Sequence, residues 1–462
     1  MRNKAMRRMV NTTKLFGTSG IRGVVPDELS PDFCRGIARA IATTLPEGST
    51  VCIATDTRTS RDVIRDAVIS GLLLNGINVV DLGILPTPAL ALLTRQLGFA
   101  TGIMVTASHN PPEFNGIKLF TGDALGYSQE QEAEVAAAFH AGAFRKDGTG
   151  TLKRAPGLRE KYFEFIKGQF SGQEFNHGLR VVVDPGNGAA SRFVSDLFVQ
   201  MGLKVIAVND EPDGSFPGRS PEPKGDTLEG TVAFLREHEA DLAVCFDGDA
   251  DRVVFCDREG FLGFNEPVAF ISRLAVTNTG KKRVATTVET GTLLDLAVED
   301  LGAEVVRGRV GDVPVAHLVR EIDAALGVEQ VGVYIMPDTG HYPDSIFASL
   351  FLLSQLSDAG EIRQFLRGMP RLYFEKASID CANELKGSVM ATARQQIETL
   401  APDEINALDG LRLEFADSWM LIRASGTEPI IRVIAESRSE AMTNELIRRG
   451  KGFVQRLMGN GS

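Results

Sequence analysis

Five cysteines are all that this 462-residue chain contains, and Cys34, Cys52, Cys245, Cys256 and Cys381 are scattered without paired spacing. An odd, unpaired set excludes a disulfide framework and a zinc ribbon, and predicts reduced core residues in a cytoplasmic protein. A basic excess is missing as well: 49 Lys and Arg face 60 Asp and Glu, for a net charge of −11. Nucleic-acid and anionic-membrane partners need a basic face, so neither is expected, and an anionic substrate must be caught by a local arginine cluster. No apolar run approaches the roughly 18 residues of a membrane span. The basic opening MRNKAMRRMVN lacks the apolar stretch of a signal peptide and reads as a short mobile tail, with Met6 or Met9 as alternative starts. His140, His177, His238 and His317 have no ligand spacing, and the single tryptophan, Trp419, is expected in the core.

What is present is enough apolar residue for several cores, 43 % of a chain too long for one domain. Short apolar runs alternate with amphipathic stretches: VCIATD, RDVIRDAVISGLLLNG, INVVDLG, PALALLTRQLG and TGIMVTAS. This is the rhythm of a doubly wound α/β sheet, and it recurs after residues 179 and 281. Ser128 and Gln131 have capping-box spacing and start a helix that closes the first domain. From about residue 370 the pattern changes to a helix candidate, SIDCANELKGSVMATARQQIETL, followed by short antiparallel strands. The prediction is three similar α/β domains (1–150, 151–257 and 258–369) and a C-terminal α+β domain (370–462) around a central cleft.

Four segments carry chemistry. In MVTASHNPPEFNGIK, Ser108 follows an apolar run on a proline-stiffened turn, where an exposed hydroxyl is expected; such a serine needs a base, a metal or a modification to react. His109 beside it invites a dyad, but neighbours in an extended strand point to opposite faces. In FDGDADR, Asp247, Asp249 and Asp251 recur every second residue, a spacing that suits a hard cation. A calcium loop would need glycine and glutamate where Arg252 and Arg258 stand. In RASGTEPIIR, Ser425, Gly426 and Thr427 can turn amides and hydroxyls toward an anion between Arg423 and Arg432. KLFGTSGIRG, with Thr18, Ser19 and Arg22, has the same character. DPGNG at 184–188 lacks the lysine of a phosphate loop and reads as a strand-to-helix turn.

Together, and in this order, the segments resemble the alpha-D-phosphohexomutase superfamily, the phosphoglucomutase, phosphomannomutase and phosphoglucosamine mutase enzymes. The resemblance runs from about Lys14 to the last helix. It implies an isomerase that moves phosphate between the 1 and 6 positions of a hexose or hexosamine phosphate through a bisphosphorylated intermediate. Ser108 would be the phosphoserine, and Asp247, Asp249 and Asp251 with the seryl phosphate would hold one magnesium per chain. Arg22, Lys118, Arg252 and His109 would line the reaction centre, with Lys118 as acid or base. Arg423, Ser425, Gly426, Thr427 and Arg432 would grip the idle phosphate. Hexose 1,6-bisphosphate would be the activator, and the enzyme a monomer or homodimer.

One segment departs from the family. The sugar-selecting loop ordinarily reads like Gly-Glu-x-Ser-Gly-His, whereas residues 334–345 read YIMPDTGHYPDS, with Met336 or Pro337 in place of the glutamate. Asp338, Thr339 and His341 are then the expected sugar contacts, with 306–312 as the alternative selector. SGTEP and LFGTSGIRG lean toward phosphoglucosamine mutase, ahead of phosphomannomutase or phosphoglucomutase. A non-catalytic sugar-phosphate binder is the alternative of another class; retention of Ser108, the three aspartates, Lys118 and Arg252 speaks against it. As a magnesium ligand, Asp249 is expected to be essential, so Asp249→Ala should abolish turnover, and relief of mutual repulsion should leave thermal stability nearly intact.

Overall fold

The structure is a computed structural model that describes residues 15–17, 20–145, 148–175, 178–426 and 428–459. The basic N-terminal stretch, Thr18, Ser19, His177 and Thr427 lie outside the described residues. Contacts divide the chain into two compact units, 1–263 with 333–359, and 264–332 with 360–462.

The first unit holds two mixed sheets. One is built from β1 (Ile21–Val24), β2 (Thr50–Thr55), β3 (Asn78–Ile84), β4 (Thr101–Val105), β5 (Phe114–Thr121) and β6 (Leu152–Arg154), in the order β1-β5-β4-β2-β3-β6. β2, β3, β4 and β6 are parallel; the apolar runs of β2 and β4 are buried as central parallel strands require, whereas the short edge strand β6 is exposed. β5 is antiparallel to β4 and carries Lys118 opposite Met104, a strand that the alternation pattern did not announce. The predicted capping box is present: Ser128 Oγ accepts from Gln131 N, and Gln131 Oε1 accepts from Ser128 N. The second sheet is β7 (Arg180–Asp184), β8 (Lys204–Ala207), β9 (Leu242–Phe246), β10 (Val253–Asp257) and β11 (Gly260–Phe261), ordered β11-β10-β9-β7-β8.

In the second unit β12 (Arg283–Thr287) pairs in parallel with β13 (Glu304–Gly308) and β14 (Leu326–Glu329). β15 (Val333–Ile335), within the predicted third domain, belongs to the first unit. β16 (Tyr373–Asp380), β17 (Glu404–Asn406), β18 (Leu411–Phe415), β19 (Ser418–Ala424) and β20 (Ile430–Ser437) form an antiparallel sheet ordered β16-β20-β19-β18-β17. Here the helix candidate is corrected at its start. Ser378, Ile379 and Asp380 are strand, registered against Arg432, Ile431 and Ile430, and the helix begins at Asn383. Cross-strand pairing outweighs the helical tendency of three residues. Trp419 is 1 % exposed, as expected; its indole Nε1 donates to Glu436 Oε1 and the Arg412 guanidinium lies over its ring.

The architecture is therefore α/β, three sheet-and-helix domains and a C-terminal α+β domain. All five cysteines are buried and unpaired. Among the described residues no helix is long and apolar enough to cross a membrane.

Candidate active site

Ser108 lies just past β4 and is 1 % exposed, so the expected exposed hydroxyl is instead buried. Its φ is 52°, the left-handed region, which costs a non-glycine residue roughly 1 kcal/mol and must be imposed by the surroundings. The imposition is visible on both sides of the residue. Ser108 N donates to Thr106 Oγ1 at 2.8 Å, and Thr106 Oγ1 donates to Asp56 Oδ2 at 2.7 Å. Arg58, fully buried, pairs its Nε with the same Asp56 at 3.0 Å and donates to the carbonyls of Pro111, Phe114, Ser108 and Asn110 at 2.5, 2.8, 2.9 and 2.6 Å. One planar guanidinium thus ties down the whole turn. Sequence reading passed over Arg58; its position just beyond the carboxyl end of parallel β2, where α/β sites gather, was the available signal.

The turn also overturns the expectation for His109. Because Ser108 is not extended, the two neighbours do not point apart: Ser108 Oγ is 3.2 Å from His109 Nδ1. The charge of Arg252, then burial, then Arg22 and Lys118 pull the imidazole far below its ordinary pKa, so His109 is neutral. Arg22 donates to Asn110 Oδ1 at 2.7 Å, within the same turn.

The aspartate loop 247–251 arrives from the second sheet, after β9. Ser108 Oγ donates to Asp247 Oδ2 at 2.6 Å, and Lys118 Nζ donates to Asp249 Oδ2 at 2.7 Å and Asp251 Oδ2 at 2.5 Å. Arg252 N donates to Asp247 Oδ1, and Thr87 Oγ1 to Asp249 Oδ2. A side chain at Gly248 would meet Ser108 O at 2.4 Å, so only glycine lets the two loops approach this closely. Residues far apart in sequence are thereby brought together: Ser108, His109, Lys118, Arg252 and the three aspartates.

The donor set fits a hard cation. All three carboxylates are buried, one oxygen from each lies within 4.8 Å of the others, and Asp249 Oδ1 and Asp251 Oδ1 have no hydrogen-bond partner. Buried acceptors left without donors are the state expected of oxygen ligands awaiting magnesium or a similar ion.

Asp247 and Asp249 differ, and the difference bears on the stability expected of a variant at Asp249. Burial, followed by the charges of Asp251 and Asp249, pushes Asp247 well above the usual carboxylate range. Burial pushes Asp249 the same way, but the Lys118 ammonium, its hydrogen bond and the Thr87 hydroxyl outweigh it and hold Asp249 below that range. Asp249 is therefore a stabilising partner of a buried ammonium, and its loss removes one of the two carboxylates that Lys118 Nζ meets.

The 334–345 loop is placed differently from expectation. Met336 is 2 % exposed and Thr339 0 %. Thr339 Oγ1 donates to Met336 O, and Thr339 O accepts from Arg95 Nη2 at 2.7 Å and Tyr342 OH at 3.1 Å, so Thr339 closes the loop upon itself. Asp338 is exposed and His341 half-buried. Asp344 caps the helix Ser345–Gln355 through Phe347 N and accepts from Tyr162 OH at 2.9 Å. Burial raises its pKa from 3.8 to about 6, against the pull of those hydrogen bonds. A carboxyl raised on folding favours the folded state only while protonated. Stability should fall as pH rises from about 4 to 6, by on the order of 3 kcal/mol at full ionisation. Asp344→Asn keeps the Oδ1 acceptor, so it should melt higher than the parent at pH 8 and near it at pH 4.5. Equal shifts at the two pH values would refute this.

In the second unit, Arg423 stands on β19 directly opposite Arg432 on β20. Arg423 Nη1 donates to Glu289 Oε1 at 3.2 Å, and Arg432 Nη2 to Glu428 Oε2 at 2.5 Å. Ser425 Oγ accepts from Glu428 N and closes the turn, Ser425 O accepts from Lys386 Nζ, and Gly426 is exposed. Glu289, Glu329, Gln330 and Asp409, none of which the sequence reading named, cluster with Arg423 or with the 306–312 segment. Val310 N donates to Asp409 Oδ2 and Gly311 N to Glu329 Oε1. Glu289 and Gln330 follow the carboxyl ends of parallel β12 and β14, which would have flagged them.

Four family models match the chain in order. They are described as phosphoglucomutase/phosphomannomutase alpha/beta/alpha domain I over residues 13–146, domain II over 160–260, domain III over 266–373, and the C-terminal domain over 380–449. A Methanopyrus kandleri protein named "Probable phosphoglucosamine mutase" is 39 % identical over 449 residues, 96 % of this chain and 98 % of its own. A Thermococcus kodakarensis protein named "Phosphoglucomutase/phosphomannomutase" is 35 % identical over 455 residues, 96 % of this chain and 99 % of its own. Among solved structures, a phosphoglucomutase/phosphomannomutase family protein from Burkholderia thailandensis is similar with a TM-score of 0.84 at 26 % identity, covering 97 % of each chain.

Proposed function

The chain belongs to the phosphoglucomutase/phosphomannomutase family of phosphohexomutases, which are isomerases, and from that premise we propose that it interconverts glucosamine 1- and 6-phosphate through a phosphoserine at Ser108. The observation that carries the reading is the 2.6 Å approach of Ser108 Oγ to a buried aspartate triad with two orphaned oxygens. A mere sugar-phosphate binder has no use for such a junction. The sugar rests on the names of relatives at 35–39 % identity, most of which read "Probable phosphoglucosamine mutase". Phosphomannomutase or phosphoglucomutase activity is the second reading, favoured by the relative that bears that double name.

In the forward half-reaction the bond from phosphorus to Ser108 Oγ breaks and a bond from phosphorus to the free sugar hydroxyl forms. Lys118 handles the proton exchanged between the two oxygens. Arg22 and Arg252 neutralise the phosphoryl group in flight, while His109 Nδ1 lies within hydrogen-bonding reach of the serine side chain. Asp247, Asp249 and Asp251 would hold magnesium with the seryl phosphate, and the ion would supply charge stabilisation to the transferring group. The bisphosphate then reorients and returns its other phosphate to Ser108, while Arg423, Ser425, Gly426, Thr427 and Arg432 hold whichever phosphate is idle. Asp338 and His341 are the sugar contacts in this reading, and Thr339 shapes their loop. The protein would work in the cytoplasm, as a monomer or homodimer, primed by hexose 1,6-bisphosphate. Coupled assays on glucosamine, glucose and mannose 1-phosphates test the ranking. Preference for mannose or glucose would select the second reading, and turnover of none by a phosphorylated protein would defeat both.

A further inference from the structure

The arginine assigned to the idle phosphate already has anions beside it. Arg423 and Arg432 are direct partners across β19 and β20, so their side chains leave the same face of the sheet and repel unless an anion lies among them. Arg423 is 8 % exposed, too buried to rely on water. Two carboxylates take that role, and both do it imperfectly. Glu289 Oε1 accepts from Nη1 at a long 3.2 Å, with Glu289 Oε2 a further 3.8 Å from Lys376 Nζ. Asp409 Oδ1 is 3.0 Å from Nε, yet Nε has no partner by hydrogen-bond geometry, so this contact is a charge pair only. Gln330, 5 % exposed, donates to the Glu289 carbonyl and leaves Oε1 buried without a donor.

A buried guanidinium with one long hydrogen bond and one misdirected pair is ready for a better ligand, and the orphaned Gln330 oxygen belongs to a side chain bonded to the Glu289 carbonyl. Phosphate-ester oxygens bind guanidinium in bidentate fashion, and a sugar hydroxyl can donate to an amide oxygen. We propose that Glu289 and Asp409 are built-in counter-ions of Arg423 which substrate phosphate displaces, and that they set the affinity of the grip. The proposal rests on Arg423 being the phosphate grip. Without the two carboxylates the empty protein would bury an uncompensated cation. With them, phosphate gains only the difference between its own contacts and theirs, which keeps binding loose enough for the bisphosphate to let go and turn.

A positioning or structural role and a counter-ion role predict opposite signs. Inorganic phosphate is titrated calorimetrically at pH 8, without added magnesium, into the full chain and into Glu289→Gln, Asp409→Asn and Arg423→Ala. Each carboxylate-to-amide change should lower the phosphate Kd by about tenfold, because the competing charge is gone while the shape is kept. Arg423→Ala should abolish this binding. If both amide variants bind phosphate equally or more weakly while Arg423→Ala loses it, the counter-ion proposal is overturned and the grip stands. If Arg423→Ala binds like the parent, the grip itself is wrong and the proposal falls with it. Should Glu289→Gln not fold, Asp409→Asn, whose side chain is 24 % exposed, gives the same reading alone.

Discussion

Ser108→Ala is expected to reduce turnover by at least roughly 10⁴-fold with little change in phosphosugar binding, because it deletes the atom that carries the transferred group while the phosphate contacts remain. Intact-mass analysis should show an added phosphoryl group on the parent and none on the variant, and hexose 1,6-bisphosphate should revive the dephosphorylated parent only. The side chain removed is small, but the turn that holds it is anchored by backbone groups: Ser108 N on Thr106 and Ser108 O on Arg58. The variant should therefore fold with an unchanged melting temperature. An unphosphorylated parent at full activity would sink the scheme.

The second large effect separates two neighbouring aspartates. Asp247→Asn and Asp249→Asn should each remove activity and magnesium dependence, since each deletes an anionic ligand. Their metal-free stabilities should move in opposite directions. Asp247 is held above the usual carboxylate range by burial and by Asp251 and Asp249, so an amide relieves an unfavourable charge. Asp249 is held below that range by Lys118, so its contribution is present above the unfolded pKa and disappears as pH falls through the folded one. Losing it at pH 7 takes one of two carboxylates from a buried ammonium that keeps Asp251 at 2.5 Å, a cost of about 1–3 kcal/mol, or roughly 2–12 °C at about 2–4 °C per kcal/mol. Thermal melts in a chelating buffer measure both. A higher melting point for Asp249→Asn than for Asp247→Asn would show that the assigned asymmetry is wrong.

The chain's α/β class, its C-terminal α+β domain and the segments proposed to carry its chemistry were legible from residue order alone. Short apolar runs and amphipathic stretches are local properties, and an aspartate at every second position or a Ser-Gly-Thr turn between arginines suggests a chemistry before folding. The capping box at Ser128 and the burial of Trp419 are readable for the same reason. Tertiary structure decided what depends on distant partners. The left-handed turn of Ser108, which buries its hydroxyl and brings His109 to it, exists because Asp56, Arg58 and Thr106 arrive from β2 and from the end of β4. Lys118 lies on a strand that pairing creates, and only there do Asp249 and Asp251 become its counter-ions, making one aspartate stabilising and Asp247 costly. Thr339 reads as a sugar contact in the sequence and closes its own loop in the fold, and Arg423 meets Glu289 and Asp409 through packing alone. Which residues bear the charge is a matter of sequence; which charges face one another, at what depth, is set by packing, because Coulombic and desolvation energies depend on distance and burial that no local pattern encodes.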